Sequence, residues 1–263
     1  MLTLLGAQYS HGDTMYNWLT NLPTYLNKWN VPWQGYANWD THAAYGPDER
    51  DYTPVGLLNH HTAGPAWYPP SKLTNKCNLY INPSGTVYVM SLGYQADSGM
   101  GDPNVLYRVR NKLPIEPPTD FTVSDRINGN PWFVDVEVGH PGDGSAIPDA
   151  QRDSLLLVNA AVCDMLGLDP WTQLLGHKEW TRRKVDPRWS FNNRLDSMED
   201  VRFDTVKVLE EEIMPRQQWM QMIDALFVGR PDMFQGDPDY WKDLEPDDPE
   251  WQDFWAAFVR AIS

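Results

Sequence analysis

The residues of this sequence that could carry chemistry form two separated clusters. The first is the pair His60 and His61, which follows the apolar run 55–58. The second contains His177 and, further along the same loop, Asp186. A histidine pair alone is more often structural than functional. Two histidines and one carboxylate, however, are a standard ligand set for a catalytic zinc ion whose fourth position is open to water, so the two clusters together predict a metal site.

A strand has to deliver the first histidine. The apolar run 55–58 predicts a buried strand with His60 at its carboxyl end, where a rigid element fixes a side chain while the following loop stays open to ligand. Because side chains alternate along a strand, His61 should face away from His60. We therefore expect His61 to be structural, or to support a ligand, and not to bind the metal itself.

Three segments resemble a known family. The motif HHTAG at 60–64 and the motif GHKEWTRRKVDP at 176–187 are similar to zinc-dependent N-acetylmuramoyl-L-alanine amidases of the phage endolysin and peptidoglycan-recognition-protein superfamily. The segment 128–138 is similar to a strand of these amidases that ends in a glutamate. The motifs occur in the family's order over residues 55–208, and the resemblance is closest to endolysins of phages that infect actinobacteria.

The resemblance implies a reaction and the residues that perform it. His60, His177 and Asp186 would hold Zn²⁺, Glu137 would move protons, and Lys184 would stabilise the oxyanion. The reaction would be hydrolysis of the amide bond between N-acetylmuramic acid and L-alanine in bacterial peptidoglycan. From the residues alone, Glu137 as an outward strand residue and Lys184 as an ordinary surface cation remain open alternatives.

The sequence departs from the family pattern at two places. Related amidases often have a tyrosine where Cys77 falls, and a histidine in the segment 93–99, where Gln95 occupies that neighbourhood. We therefore carry over neither a catalytic tyrosine nor a proton-transferring histidine. His140 follows Glu137 in a loop, and we expect it to line the site without binding metal.

A second function class also has to be considered, a non-catalytic peptidoglycan-binding or recognition protein. Recognition proteins of this superfamily can lack one of the metal ligands. Here the set of two histidines and one aspartate is complete, which favours the enzyme.

The remaining pattern predicts an α/β fold with a central mixed β-sheet flanked by helices, of the amidase or peptidoglycan-recognition type. Two strand-like runs flank an Asn-Pro-Ser-Gly turn, which is typical of a β-hairpin. Asp149 and Gly167 bracket a run with helical spacing as a cap and a terminator. The predicted strands are 55–58, 77–81, 86–90, 132–138 and the short edge strand 173–175. The predicted helices are 150–166 and 197–212, the second of which begins with a capping box. Residues 99–131 are predicted to be a long surface loop.

We divide the chain into three parts. Residues 1–50 are an aromatic N-terminal extension expected to pack on the catalytic domain, with a sugar-binding groove as the alternative role for some of its rings. Residues 51–215 form the zinc amidase domain. Residues 216–263 are a small, acidic, helical C-terminal segment, for which docking on the body, wall binding and a subunit interface are alternatives. Its apolar stripe consists of Trp251, Phe254, Trp255, Phe258, Val259 and Ile262.

Composition limits the partners and the compartment. A net charge of −15 argues against nucleic acid or an anionic membrane as the principal partner, because those contacts need lysine and arginine. Two cysteines are too few for a disulfide framework, and no apolar run is long enough to cross a membrane. The N-terminus lacks the pattern of a signal peptide. We therefore expect a monomer made in the host cytoplasm, which acts at the cell wall after release by a holin, as the family implies.

Overall fold

The computed structural model describes residues 19–44, 52–118, 125–195 and 197–213. Its strands are short, and six of them form one central sheet. In chain order the strands are β1 (Trp33–Gly35), β2 (Gly56–His61), β3 (Leu79–Ile81), β4 (Val87–Val89), β5 (Met100–Gly101), β6 (Ile127–Asn128), β7 (Phe133–Val138), β8 (Leu174–Gly176), β9 (Ser190–Phe191) and β10 (Arg194–Leu195).

The central sheet is mixed. Its strand order is β1-β4-β3-β7-β2-β8, and all neighbours are parallel except the antiparallel hairpin of β3 and β4. The parallel strands β7, β2 and β8 therefore end at the same edge. The other strands pair separately, β5 with β6 and β9 with β10.

Helices cover both faces of this sheet. They are α1 (Leu22–Lys28), α2 (Pro103–Arg110), α3 (Asp149–Leu166), the short turns α4 (Pro170–Gln173) and α5 (His177–Trp180), and α6 (Met198–Ile213). A 3₁₀ turn spans Pro70–Lys72. The α/β prediction, a mixed sheet flanked by helices, is confirmed. No helix in the described parts of the chain combines the length and apolarity needed to cross a membrane.

The alternation of side chains along β7 explains how the sheet separates a core from a site. Val134, Val136 and Val138 face one side and join the main core beneath α1 and α3. On the other side Phe133 packs with Leu58, Leu175 and Trp180 in a second core against α2. Burying such side chains contributes roughly 1.5–3 kcal/mol each. On this second side, apolar residues at the start of β7 give way to carboxylates near its end.

Most predicted elements are present. The hairpin, the strand at 133–138, the edge strand β8 and the helix α3 are confirmed. Gly167 ends α3 in the left-handed conformation, with φ of 64°. Ser197 caps α6 by accepting a hydrogen bond from the backbone N–H of Asp200 at 3.1 Å. The residue at the N-cap of α3 is Pro148, one position before the predicted cap.

The prediction of a long loop at 99–131 was wrong in part. This segment contains α2, which begins where the Asp102 side chain accepts a hydrogen bond from Asn104 N–H at 2.7 Å. Pro103 stands at the first turn, where its missing N–H costs nothing. The many Gly, Pro and Asn residues around it concealed this short amphipathic helix.

The N-terminal extension contributes to the layered body where it is described. Helix α1 packs against α3, and β1 adds an edge to the central sheet beside β4. The apolar stripe of residues 251–262 lies outside the described residues.

Candidate active site

Strand β2 delivers the first histidine to the carboxyl edge of the sheet. It lies between β7 and β8, and all six of its residues are buried. In the register with β7, His60 stands opposite Glu137. Leu58, two residues earlier on the same face, is anchored in the second core. This packing fixes the backbone that carries His60.

His177 enters the site at the end of the neighbouring strand. Gly176 ends β8, and a Cβ at this position would lie 2.6 Å from Cδ of Pro187, so a glycine is needed for that close approach. His177 is then the first residue of α5. The carboxylate of Glu179 accepts a hydrogen bond from the N–H of Gly176 at 2.9 Å and pairs with Arg202 of α6. These contacts hold the turn that presents the imidazole.

Asp186 reaches the same point from the loop after α5. Its backbone carbonyl accepts a hydrogen bond from Lys178 N–H at 2.7 Å. The Lys178 ammonium donates to the carbonyl of Pro187 at 2.9 Å. The loop is therefore tied back to the turn that carries His177, and the two side chains stay together.

Three donor atoms converge where these elements meet. His60 Nδ1 lies 2.8 Å from His177 Nδ1 and 3.2 Å from Asp186 Oδ2, and His177 Nδ1 lies 3.0 Å from the same carboxylate oxygen. Bonds of about 2.0–2.2 Å place neighbouring ligands of a tetrahedral zinc roughly 3.3 Å apart. A small outward movement of the three side chains would admit such an ion. The donor set and its spacing therefore fit a divalent metal.

Two further carboxylates, Glu137 and Asp97, face the same centre. Together with His60 they form a second group whose possible ligand atoms lie within 4.8 Å of one another. Both groups include His60, whose Nδ1 is the ring nitrogen that faces His177 and Asp186. Glu137 Oε2 and Asp97 Oδ2 are buried and accept no hydrogen bond from a described N–H or hydroxyl donor. The two carboxyl groups lie close enough to share a proton in a hydrogen bond with each other.

The electrostatics of the site are dominated by these buried acids. Burial opposes protonation of His60, but Asp97, Asp135 and Asp186 outweigh it and hold its pKa well above the ordinary value. Burial, reinforced by Asp97, raises the pKa of Glu137 well above its usual range. The concentration of negative charge around two imidazoles favours a bound cation.

An open cleft of about 370 Å³ leads to the three convergent atoms. Lys184, Tyr68, Lys72 and Lys76 are among the residues that line it. Arg183 also borders the cleft, but it is paired with Asp125. The structure thus brings Lys184 to the cleft that contains Glu137 and the three candidate ligands.

Other residues considered from the sequence are not among the three convergent ligands. His61 borders the cleft, but its Nδ1 accepts a hydrogen bond from the backbone N–H of Arg188 at 2.9 Å. His140 was predicted to line the site, but it is not among the residues that line the cleft. Its Nδ1 accepts a hydrogen bond from Gly142 N–H at 3.0 Å, and its ring packs against Trp189. Cys77 is fully buried in a small core.

Sequence reasoning missed Asp97 and Asp135. It assigned the place of the family's histidine to Gln95, whose side chain is buried and donates to the carbonyl of Gly93 at 3.5 Å. The residue that enters the cleft is Asp97, two positions later. The sequence did contain a signal for Asp135. Residues two apart on a strand share a face, and Glu137 of the same predicted strand was already assigned to the site.

A second cavity, of about 640 Å³, lies away from these residues. Trp171, Ile115 and Leu195 line it, together with the charged side chains of Arg194, Glu179 and Glu199. It contains neither a histidine nor a cysteine. Although it is larger than the cleft, its lining offers no comparable chemistry.

The fold and the site define the class of the protein: a mixed α/β domain with a His-His-Asp cluster, able to hold a metal ion, at the carboxyl edge of its parallel strands. The model of the N-acetylmuramoyl-L-alanine amidase family matches residues 50–189, more than half of the chain. The chain therefore belongs to the N-acetylmuramoyl-L-alanine amidase family and is a peptidoglycan amidase.

Two solved structures are similar to parts of the chain. The N-acetylmuramoyl-L-alanine amidase LysC from Clostridium intestinale URNW is 14% identical with a TM-score of 0.36, covering 57% of this chain and 85% of that one. The endolysine N-acetylmuramoyl-L-alanine amidase LysCS from the same organism is 15% identical with a TM-score of 0.32, covering 50% and 74%. No curated protein matches the chain.

Proposed function

We propose that the chain is a zinc-dependent enzyme in which His60, His177 and Asp186 hold the ion. The observation that carries this proposal is the convergence of their three donor atoms within 2.8–3.2 Å of one another, at the floor of an open cleft. Two imidazole nitrogens and one carboxylate leave a fourth direction for water or substrate, which is the arrangement of catalytic zinc sites. When bound, the ion supplies Lewis acidity that activates water and polarises the amide carbonyl.

Glu137 is the proton carrier in this proposal. Its carboxyl group is buried, borders the cleft and stands opposite His60 in the strand register. From there it takes the proton of the attacking water and passes it to the amide nitrogen of L-alanine as that nitrogen leaves.

Lys184 stabilises the negative charge that develops on the carbonyl oxygen of the lactyl group. It lines the same cleft as Glu137, and it follows the α5 turn that presents His177. An ammonium group placed where charge develops lowers the barrier more than it strengthens substrate binding. Lys184 and Glu137 thus act on the two ends of the bond that breaks.

The biological role we propose is that of a phage endolysin acting at the bacterial cell wall. It is supported by the three motifs, HHTAG, the strand that ends in Glu137, and GHKEWTRRKVDP, which resemble those of actinobacterial phage lysins. The complete ligand set disfavours the alternative of a non-catalytic recognition protein, since such a protein has no need of an open metal position.

We also propose that the chain divides into an extension at 1–50, the amidase domain at 51–215 and an acidic wall-engaging segment at 216–263. The six apolar residues of the last segment would be costly to expose, at roughly 1.5–3 kcal/mol each, so we expect them to be buried against another surface. Truncation after Arg216 should spare cleavage of a soluble muropeptide and weaken sedimentation with intact walls. Unfolding or aggregation of the truncated protein would make the segment part of the core instead.

Metal content and wall degradation test the enzyme against the binding module. The purified protein should contain close to one zinc ion per chain by elemental mass spectrometry and should release dye from labelled cell walls. A chelator should stop the release, and added zinc should restore it. A protein that retains no zinc and releases no dye would support the recognition protein instead.

A further inference from the structure

The proposed mechanism gives no role to Asp135, a buried carboxylate beside the site. Asp135 is fully buried on β7, two residues before Glu137 and on the same face of the sheet. Burying an ionisable group is costly unless it is hydrogen-bonded to a partner. Asp135 does not line the cleft, so it has no contact with a substrate there. Its partners therefore indicate what it does.

Both of its closest partners meet at one oxygen. His60 Nε2 lies 3.0 Å from Asp135 Oδ1, and the hydroxyl of Ser98 donates to the same oxygen at 2.6 Å. His60 thus has Asp135 on one ring nitrogen and the convergent donor atoms of His177 and Asp186 on the other. A neutral imidazole that donates through Nε2 must present an unprotonated Nδ1.

We propose that Asp135, held by Ser98, is a positioning residue that fixes His60 in the tautomer with the proton on Nε2, so that Nδ1 is free to bind the metal. The hydrogen bond also sets the rotation of the ring, and it makes the ligating nitrogen a stronger donor. This inference rests on the proposed metal centre. It adds Asp135 and Ser98 to the residues on which metal affinity depends.

The support extends to the second histidine through the backbone. The indole N–H of Trp180 donates to the carbonyl of Ser98 at 3.0 Å. Trp180 ends the α5 turn that His177 begins. A continuous path of contacts therefore runs from α5 through Ser98 and Asp135 to His60. It keeps the two histidine ligands at a fixed separation before the metal arrives.

Zinc affinity of the full-length protein tests this inference directly. Metal-free protein is titrated with Zn²⁺ in competition with a chromophoric chelator. Loss of an outer hydrogen-bond partner weakens metal affinity by about 10–100-fold, and we expect that range for Asp135→Ala. Asp135→Asn, which keeps an oxygen acceptor but removes the charge, should lose less, and Ser98→Ala less again.

Two control variants separate the hydrogen bond from less specific effects. Glu137→Gln removes a buried carboxylate from the same face of the same strand, but Glu137 makes no hydrogen bond to a His60 nitrogen in the structure. It should change zinc affinity much less than Asp135→Ala. Ser154→Ala removes a buried hydroxyl that donates to Gly85 O at 2.7 Å, beneath α3, and should leave zinc affinity unchanged.

A spectroscopic signature completes the test. Long-range ¹H–¹⁵N correlation of the zinc-loaded protein should show His60 protonated at Nε2 alone, and Asp135→Ala should alter that ¹⁵N pattern. Unchanged affinity and an unchanged tautomer in Asp135→Ala would overturn the inference. If that variant fails to fold, as judged by circular dichroism, Ser98→Ala decides: weaker binding supports the inference, and wild-type affinity overturns it. A wild-type protein that binds no Zn²⁺ would instead remove the metal centre of the proposed function.

Discussion

Strand β2 buries a polar side chain on each face of the sheet, and the two surroundings differ. On the α3 side, the amides of Asn59 and Asn159 donate to each other's oxygens, both at 3.2 Å. On the other side, His60 meets four acids, and three of the acid oxygens are buried and accept no hydrogen bond from a described N–H or hydroxyl donor. These oxygens belong to Asp97, Asp135 and Glu137.

The comparison distinguishes a structural pair of polar side chains, Asn59 and Asn159, from a functional cluster of polar side chains around His60. A buried amide pair that satisfies itself needs nothing from outside, and it specifies how a helix sits on a sheet. A cluster with spare acceptors carries a desolvation cost that an incoming cation, water or substrate can offset. Neighbouring residues of one strand, Asn59 and His60, therefore differ in what they require, although both are buried. Substitutions on the two faces should separate the two roles.

The largest effect should come from the candidate ligand on β8 and α5. We predict that His177→Ala abolishes both zinc retention and wall cleavage, because two remaining ligands hold a divalent ion poorly. The far-ultraviolet circular dichroism should stay close to that of the wild type, since the sheet forms without the site. Zinc stoichiometry near that of the wild type would exclude His177 as a ligand.

The next largest effect should come from Glu137, which lies on the same face but is not one of the three candidate ligands. We predict that Glu137→Gln retains zinc and lowers kcat by about 10²-fold or more, as expected for loss of a general acid–base group. Parallel measurement of metal content and of turnover on a soluble muropeptide separates the two quantities. Unchanged turnover would remove Glu137 from the mechanism.

A smaller loss is expected at the rim of the cleft. Lys184→Met should lower kcat by about 10²-fold at most, with KM little changed, because the ammonium acts on charge present only in the transition state. Arg183→Met is the matched control, since Arg183 is the adjacent cation but is paired with Asp125. Equal losses of kcat in the two variants would show that Lys184 contributes only to the general positive charge of this surface and has no specific role at the oxyanion.

The smallest effect on activity should come from the other face of β2. Asn159→Ala leaves the Asn59 amide buried without its partner, and we expect the free energy of unfolding to fall by about 1–3 kcal/mol. Zinc content and kcat of the folded protein should stay at the wild-type level. Urea unfolding and muropeptide turnover measure the two quantities, and a loss of turnover at full folding would show that the faces are coupled.

The strongly patterned parts of the sequence predicted the sheet well, and they indicated three residues whose donor atoms converge in the structure. The alternation of side chains on β7 and the apolar run before His60 are local patterns, which can be recognised from a few neighbouring residues. The motif at 176–187 is specific enough to indicate chemistry. Residues 99–131 lacked such a pattern, because α2 is short and its apolar residues stand among turn-forming ones. Local sequence did not reveal it.

The surroundings of the site could not be predicted in the same way. The contact of Ser98 with Asp135 joins residues 37 positions apart, and that of His60 with Asp135 joins residues 75 apart. No periodicity encodes such pairs, which depend on how the loop at 93–99 folds over the strands. The folding of the same loop also decides that Asp97, two positions after Gln95, lines the cleft.

The central claim, that a His60–His177–Asp186 centre cleaves the amide between N-acetylmuramic acid and L-alanine, is tested most directly by mass spectrometry of digested peptidoglycan. Zinc-loaded protein should generate new L-alanine amino termini and leave the glycan chains unbroken. Chelation should abolish these products, and zinc should restore them in the wild type but not in His177→Ala. New reducing sugar ends, peptide cleavage beyond L-alanine, or digestion that persists in the chelated protein would contradict the account.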